Sequence, residues 1–183
     1  ILGANDRVRV GIVGFSNRAK SSLIPSFMAH QKALNFELIG VSDIWNRRRE
    51  EGAAFLKEKT GNKIKKWRNN EEMYERNDID AVIISTADFH HALHTVEAAN
   101  AKKDAYVEKP FAETMEDARL GKKAVEESGI IFQIGSQRRS GANYHAANEY
   151  IKSGDFGPIM MVEMSWNVNQ PGRWRLPQLT KEI

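Results

Sequence analysis

Cysteine is absent from the 183 residues, which excludes disulfide bonds and thiolate chemistry and leaves the redox compartment open. Long apolar runs are absent as well, since none approaches the ~20 residues that a membrane-spanning helix needs. The formal net charge is only +3, and the basic residues are spread out except in two short clusters, 47–49 and 63–66. Such clusters are typical of solvated faces rather than of a nucleic-acid surface. We therefore expect neither nucleic acid nor a membrane as a partner.

The chain also lacks an initiator methionine and a signal-peptide pattern. It opens at Ile1 and closes at Ile183, shortly after a strand-like segment. We expect such ends of a chain from which flanking residues have been removed. What is present has the composition of an ordinary globular protein, 41% hydrophobic and 28% charged. The length suffices for one full domain and the start of another.

Residues 7–19 contain a strand, a glycine turn and the start of a helix, the first motif of the predicted fold. The β-branched residues within 8–13 predict a short strand buried in a parallel sheet, and Gly14 ends it. A helix follows, with apolar residues at helical spacing from Leu23 to Met28. Its N-terminus offers free N–H groups and a positive dipole end, which suit the pyrophosphate of a dinucleotide.

The turn matches the dinucleotide fingerprint G-x-G-x-x-G/A imperfectly. Gly14, Ser16 and Ala19 take its three fixed positions, and Asn17 and Arg18 lie between them. Ser16 is the departure, because its Cβ crowds the approach to a pyrophosphate although its hydroxyl could donate a hydrogen bond in return. We expect all five residues to bind the cofactor. The motif alone is equally compatible with a strand–turn–helix that binds no ligand.

Asp43 follows a second predicted strand, 36–41, and is the candidate ligand of the adenosine ribose. A carboxylate here repels a 2′-phosphate and favours NAD over NADP. Arg47 and Arg48 favour NADP, since either could form an ion pair with a 2′-phosphate. We nevertheless expect both to face solvent on the next helix. Asp43 could instead cap that helix, and the two roles are compatible.

The remaining apolar segments alternate between strand and helix patterns. The predicted strands are 65–68, 81–85, 105–108 and 130–134, and the predicted helices are 47–60, 71–76, 92–101, 114–128 and 143–152. This alternation predicts an α/β fold with a doubly wound parallel sheet and ligand chemistry along its C-terminal edge. Segment 159–166 reads as a half-exposed strand and breaks the pattern. We therefore predict a dinucleotide-binding domain in 1–154 and the start of a second domain in 155–183.

His90, His91 and His94 follow the strand at 81–85 and suggest a metal site. His90 and His94 could share a helix face, but no Asp, Glu or Cys nearby completes a ligand set. We predict no metal. One histidine is expected to form a hydrogen bond near the cofactor, and the others to lie on the surface.

Glu108, Lys109 and Pro110 place a charged pair at the C-terminal tip of a buried strand. A desolvated lysine has a lowered pKa and can bond to a hydroxyl that is being oxidised. Lys109 is therefore the candidate catalytic residue, and the proline can be cis. A surface loop with a chance ion pair explains the tripeptide equally well.

The chain resembles the Gfo/Idh/MocA family, which includes glucose–fructose oxidoreductase and inositol dehydrogenase. The similar segments, in this order along nearly the whole chain, are 10–14, 85–91, 108–110, 135–139 and 154–157. The resemblance implies that the first binds pyrophosphate and that the second, including Thr86 and His91, lines the adenosine side. It also implies that Glu108, Lys109 and Pro110 border the nicotinamide and substrate, with Lys109 on the reacting hydroxyl. Arg138, in the fourth segment, is an expected substrate residue.

The chain departs from the family pattern at Ser16, and at Ala87, where a proline is frequent. The family's second domain is an α+β unit with a large open sheet, an aspartate–histidine type of catalytic motif and a common dimer contact. This chain stops after the first strand of that domain, so we expect a homo-oligomer only in the intact protein. The opening residues 1–7 resemble those of exported family members, which slightly favours the periplasm over the cytoplasm.

The resemblance implies an NAD(P)-dependent oxidoreductase that moves hydride between nicotinamide and a sugar, polyol or related carbohydrate. NAD is the expected cofactor, and NADP stays possible. A second hypothesis is an NAD-dependent glycosidase that oxidises its sugar transiently and eliminates the leaving group. A third is a non-catalytic nucleotide- or sugar-binding module, since Ser16 could weaken dinucleotide binding.

Overall fold

The computed structural model describes residues 7–165, and its centre is a six-stranded sheet. The strands are β1 (Val8–Val13), β2 (Phe36–Ser42), β3 (Lys65–Trp67), β4 (Ala81–Ile84), β5 (Asp104–Val107) and β6 (Phe132–Ile134). All neighbouring pairs are parallel, in the order β3-β2-β1-β4-β5-β6. This is the strand order of the doubly wound dinucleotide-binding fold, so the predicted fold class is confirmed.

Helices cover both faces of this sheet. They are α1 (Ile24–Leu34), preceded by a π-helical turn (Ala19–Leu23), α2 (Asn46–Thr60), α3 (Asn70–Tyr74), α4 (His91–Asn100) and α5 (Met115–Ser128). A further helix, α6 (Ala142–Lys152), follows β6 in the chain and buries none of its side chains. On one face Val10 and Ile12 pack with Ile24 and Leu56 in a buried cluster. The other cluster joins side chains of β1, β4 and β5 to Met73 and Ala98 on α3 and α4. The period of two along β1 thus divides its side chains between two cores.

The start of α5 and the C-terminal ends of α2 and α5 follow from local chemistry and agree with the sequence. Thr114 caps α5, because its hydroxyl accepts a hydrogen bond from the Asp117 N–H at 3.1 Å. Gly61 and Gly129 end α2 and α5 in the left-handed region, at φ 72° and 70°.

The predicted strand at 159–166 is wrong over its described part. Residues 157–165 have no regular structure, and the side chains of Met160 and Met164 are about nine-tenths exposed. A strand needs a neighbour for its N–H and C=O groups, and none of the described strands pairs with this segment. Trp166 lies outside the described residues, as do the predicted trimmed ends at 1–6 and 167–183.

The chain forms two compact units, residues 1–137 and 138–183. The first holds the whole sheet, and the described part of the second holds α6 and the irregular segment after it. The predicted domain boundary after residue 154 stays a prediction. None of the described helices is long and apolar enough to cross a bilayer.

Candidate cofactor site and active site

The C-terminal ends of β1 and β4 meet where the strand order reverses. Ser85, which follows β4, donates its N–H to Val13 O and its Oγ–H to Gly14 O, and the Gly14 N–H donates to Ser42 O at the end of β2. Ligands of open α/β sheets bind in the crevice at such a reversal. The residues after β1, β2, β4 and β5 therefore form the candidate site.

Gly14 occupies a position that other residues cannot take without strain. Its φ is +82°, and an added Cβ would lie 2.6 Å from Thr86 Cγ2 and 3.0 Å from Thr86 Cα. The close approach brings the turn after β1 against the turn after β4. Glycine is needed here both for the backbone conformation and for this contact.

Ser16 directly precedes the helical residues that follow β1. Its Oγ accepts a hydrogen bond from the Ala19 N–H at 3.1 Å and donates to Ser85 Oγ at 3.3 Å. The serine therefore uses one of the N–H groups that a helix N-terminus offers to an anion. The N–H groups of Asn17 and Arg18 lie at the same open end of the helix, which is where a pyrophosphate would sit.

Asp43 joins the turns after β1 and β2 through its half-buried carboxylate. One oxygen accepts from the Phe15 N–H at 2.9 Å and the other from the Trp45 N–H at 2.8 Å. Trp45, not Asp43, is the N-cap residue of α2. A carboxylate has about four acceptor positions, so two are left for the hydroxyls of a ribose.

The expectation that Arg48 faces solvent is wrong. Its side chain is 16% exposed and donates to Asn17 Oδ1 at 2.9 Å and to Glu51 Oε2 at 3.0 Å. Asn17 is 31 residues away in sequence, so no local sequence pattern predicts the contact. Glu51 also accepts from Lys20, and chiefly this hydrogen bond lowers the pKa of its carboxyl. Arg47 is exposed and lies 5.9 Å from the Trp45 ring.

A cavity of about 600 Å³ opens beside these residues. Its lining includes Gly14, Ser16, Asp43, Trp45, Arg48, Thr86 and His94. Of the predicted cofactor residues, Gly14, Ser16, Asp43 and Thr86 therefore share one cavity of a size that suits a small molecule. The predicted residues that do not line it are Asn17, Arg18, Ala19, His91, Glu108, Lys109 and Pro110. A second groove of about 540 Å³ lies between α4 and α5 and contains none of the predicted site residues.

The expectation that only one of the three histidines forms a hydrogen bond near the cofactor and that the others lie on the surface is wrong, because His91 is buried and His90 and His94 are half-buried. His91 is buried, and its Nδ1 lies 2.6 Å from the carbonyl oxygen of Pro110, so Nδ1 is the donor and holds the loop after β5. The Nδ1 of His94 lies 3.0 Å from Thr86 Oγ1, and burial lowers the pKa of His94 to about 4, which leaves it neutral at neutral pH. Within residues 7–165, no three His, Asp or Glu side chains form a group that could hold a metal.

The predicted Glu108–Lys109 charged pair is not formed. Glu108 is buried and accepts from Arg18 Nε at 3.1 Å, whereas Lys109 is exposed. The burial that the sequence analysis expects of Lys109 is therefore not found in the described residues. Arg18 and Glu108 are 90 residues apart, so the pairing depends on the sheet order and has no local signal. The Lys109–Pro110 peptide bond is cis.

Two polar residues were missed as members of the site. Ser85 bonds both Gly14 and Ser16, and Gln137 bonds Glu108. Both follow the C-terminal end of a strand, which is the signal that could have singled them out. Arg138, the expected substrate residue, lies in a short helical turn (Gln137–Ser140) and belongs to the second compact unit.

The chain is similar to a family of known proteins over most of its length. The model of the oxidoreductase family with an NAD-binding Rossmann fold (Gfo/Idh/MocA) matches residues 8–136. Among curated relatives, 1,5-anhydro-D-fructose reductase of Ensifer adhaerens is 30% identical over 92% of the chain and 49% of the relative. The scyllo-inositol 2-dehydrogenase (NAD(+)) of Bacillus subtilis is 36% identical over 51% of the chain and 28% of the relative.

Solved structures show the same fold. The WlbA dehydrogenase of Bordetella pertussis, in complex with NADH and UDP-GlcNAcA, superposes with a TM-score of 0.73 at 23% identity, over 84% of this chain and 42% of the other. A scyllo-inositol dehydrogenase of Lactobacillus casei, with NAD(H) and scyllo-inositol, gives 0.66 at 22% identity, over 83% and 43%. The chain thus spans at most about half the length of these relatives. On the family match and the strand order together, it belongs to the Gfo/Idh/MocA family of oxidoreductases with an NAD-binding Rossmann fold.

Proposed function

We propose that the whole protein is an NAD(P)-dependent oxidoreductase that transfers hydride between nicotinamide and a carbinol carbon of a sugar or polyol. The observation that carries the proposal is the placement of Gly14 and Lys109 on one sheet edge. β1, β4 and β5 are neighbours, so the glycine turn and the lysine follow nearby parallel strands. Two of the similar proteins named above act, by name, on scyllo-inositol and one on 1,5-anhydro-D-fructose.

Lys109 is the residue to which we assign stabilisation of the reacting substrate oxygen. It is exposed at the C-terminal edge of β5, where its ammonium has room for a substrate oxygen. A cation there stabilises the negative charge that develops on a carbinol oxygen as its proton passes to a separate base, for which the aspartate–histidine motif implied by the resemblance is the candidate. In the reverse direction the cation polarises a carbonyl. The bound nicotinamide would supply hydride acceptance and donation. Pro110 and His91 hold the loop that carries the lysine.

The surroundings of Asp43 favour NAD over NADP. Its carboxylate would lie beside a 2′-phosphate, and like charges at close range are costly. Arg48 lines the same cavity, but its guanidinium already pairs with Glu51 and donates to Asn17, so it offsets this repulsion only in part. The glycosidase and binding-module alternatives have no specific observation in their favour, since the similar proteins named are dehydrogenases and a reductase. The homo-oligomer and the periplasmic location stay proposals from the family resemblance.

The proposed function predicts that the whole protein reduces NAD when supplied with a suitable polyol. The measurement is the growth of reduced-nicotinamide absorbance with a panel of inositols, aldoses, anhydro-sugars and chromogenic glycosides, each tested with NAD and with NADP. Hydride transfer to NAD with one class of these substrates is the expected result. Release of a chromophoric aglycone without net NADH would select the glycosidase reaction instead. No change with any substrate, in a protein that binds NAD, would select the binding module.

A further inference from the structure

Glu108 has the most buried carboxylate among the described residues. Its side chain is 5% exposed, and it directly precedes Lys109 in sequence. Burying an ionised carboxylate is costly unless a cation and hydrogen bonds compensate. The structure therefore needs partners for this group, and they come from three separate parts of the sheet edge.

The three partners are Arg18, Gln137 and the backbone of Lys109. Glu108 Oε1 accepts from Arg18 Nε at 3.1 Å and from Gln137 Nε2 at 2.8 Å, and Oε2 accepts from the Lys109 N–H at 3.2 Å. Arg18 belongs to the turn after β1, and Gln137 follows β6. The carboxylate thus connects the ends of β1, β5 and β6, with the candidate catalytic residue as one of the connected groups.

These hydrogen bonds occupy most of the acceptor positions of the Glu108 carboxylate, so few are left for a ligand. Three of its roughly four acceptor positions are taken, and the side chain is enclosed. Gln137 is itself fixed, because its Nε2 also lies 2.8 Å from Tyr106 Oη. Arg18 is held from a second side by its hydrogen bond to Ser22 Oγ at 3.0 Å. The group is therefore built to fix a backbone position rather than to contact substrate.

We propose that Glu108 is a positioning residue: its carboxylate, held by Arg18 and Gln137, fixes the backbone of Lys109 and thereby the place of the lysine ammonium. The proposal rests on the proposed function, since it concerns the lysine of that same site. It also gives Arg18 a second role beside the cofactor, because its ion pair couples the glycine turn to Lys109. Misplacing a catalytic group by about 1 Å can cost 10²-fold in rate, which sets the size of the expected effect.

The test compares Glu108→Gln with Glu113→Gln in the whole protein. Glutamine keeps the shape but puts N–H groups where acceptors are needed, whereas Glu113 is exposed in the same loop and serves as the matched control. We expect Glu108→Gln to lower kcat by about 10–10²-fold while the Kd for NAD changes less than about twofold. Arg18→Met, at a half-exposed site, should lower kcat to a similar extent and should also raise the Kd for NAD, because Arg18 lies beside the proposed cofactor position. The double variant should lower kcat no further than Glu108→Gln does, because the two residues act as one pair.

Amide hydrogen exchange of Lys109 in the 183-residue chain gives a readout that does not depend on turnover. We expect faster exchange in Glu108→Gln and in Arg18→Met, and no change in Glu113→Gln. Wild-type kcat or unchanged exchange in Glu108→Gln would overturn the proposal, as would a kcat loss matched by an equal rise in Kd for NAD. If the wild-type whole protein transfers no hydride, the proposed function fails, and the exchange result still decides whether Glu108 holds the backbone of Lys109.

Discussion

Replacing Lys109 by methionine is expected to lower the kcat of the whole protein by about 10²–10⁴-fold, the range typical of a lost general acid–base group. Methionine keeps much of the side-chain length and removes the charge that would stabilise the substrate oxygen. Because Lys109 is exposed, the free energy of unfolding should change by less than about 0.5 kcal/mol, and NAD should bind as before. The measurement is steady-state kinetics beside a calorimetric NAD titration.

Lys123→Met is the matched control for that experiment. Lys123 is 70% exposed on α5, 3.7 Å from Glu127, and lines no part of the candidate cofactor cavity. Its loss should leave kcat unchanged. If Lys109→Met retained wild-type turnover, the active site would have to be placed elsewhere on the protein.

Replacing Gly14 by alanine is expected to destabilise the fold and to weaken NAD binding together. The positive φ alone costs about 1–2 kcal/mol for a residue with a Cβ. The contact of that Cβ with Thr86 adds roughly 1–3 kcal/mol, because the neighbour at 2.6 Å is close to the rigid backbone of the next turn. Displacing the turn should also raise the Kd for NAD at least about tenfold, a change of 1.4 kcal/mol.

Gly61→Ala separates the two contributions. Gly61 also has a positive φ, +72°, but an added Cβ there meets nothing within 4 Å. This variant should lose the conformational part of the stability alone and bind NAD normally. Chemical denaturation and calorimetry measure both quantities. Equal stability losses and equal NAD affinities in the two variants would show that the Gly14–Thr86 contact has no role.

The fold could be predicted because its signals are local. The buried strands are short apolar runs, and some helix ends carry a cap such as Thr114 or a glycine such as Gly61. The alternation of these elements then restricts the topology to a doubly wound sheet. The segment at 159–165 shows the limit of this reasoning, because a partly alternating pattern forms a strand only where a neighbouring strand accepts its hydrogen bonds.

The site could be predicted as a set of residues but not as a set of contacts. Gly14, Ser16, Asp43 and Thr86 were singled out, and they line one cavity. Their partners were not foreseen: Arg48 binds Asn17, and Glu108 pairs with Arg18 rather than with Lys109. The two residues of each pair are 31 and 90 positions apart. Such pairs are determined by the order of the strands, and sequence spacing does not predict them.

We expect the turn after β1 and the carboxylate after β2 to form a dinucleotide site that prefers NAD. The most direct test is a calorimetric titration of the 183-residue chain with NAD and then with NADP. We expect NAD to bind at least about tenfold more tightly than NADP, because Asp43 is close to the position of the 2′ group. Tighter binding of NADP, or no binding of either nucleotide, would contradict the assignment of an NAD-preferring site. If neither nucleotide bound, Ser16→Gly would be the first variant to examine.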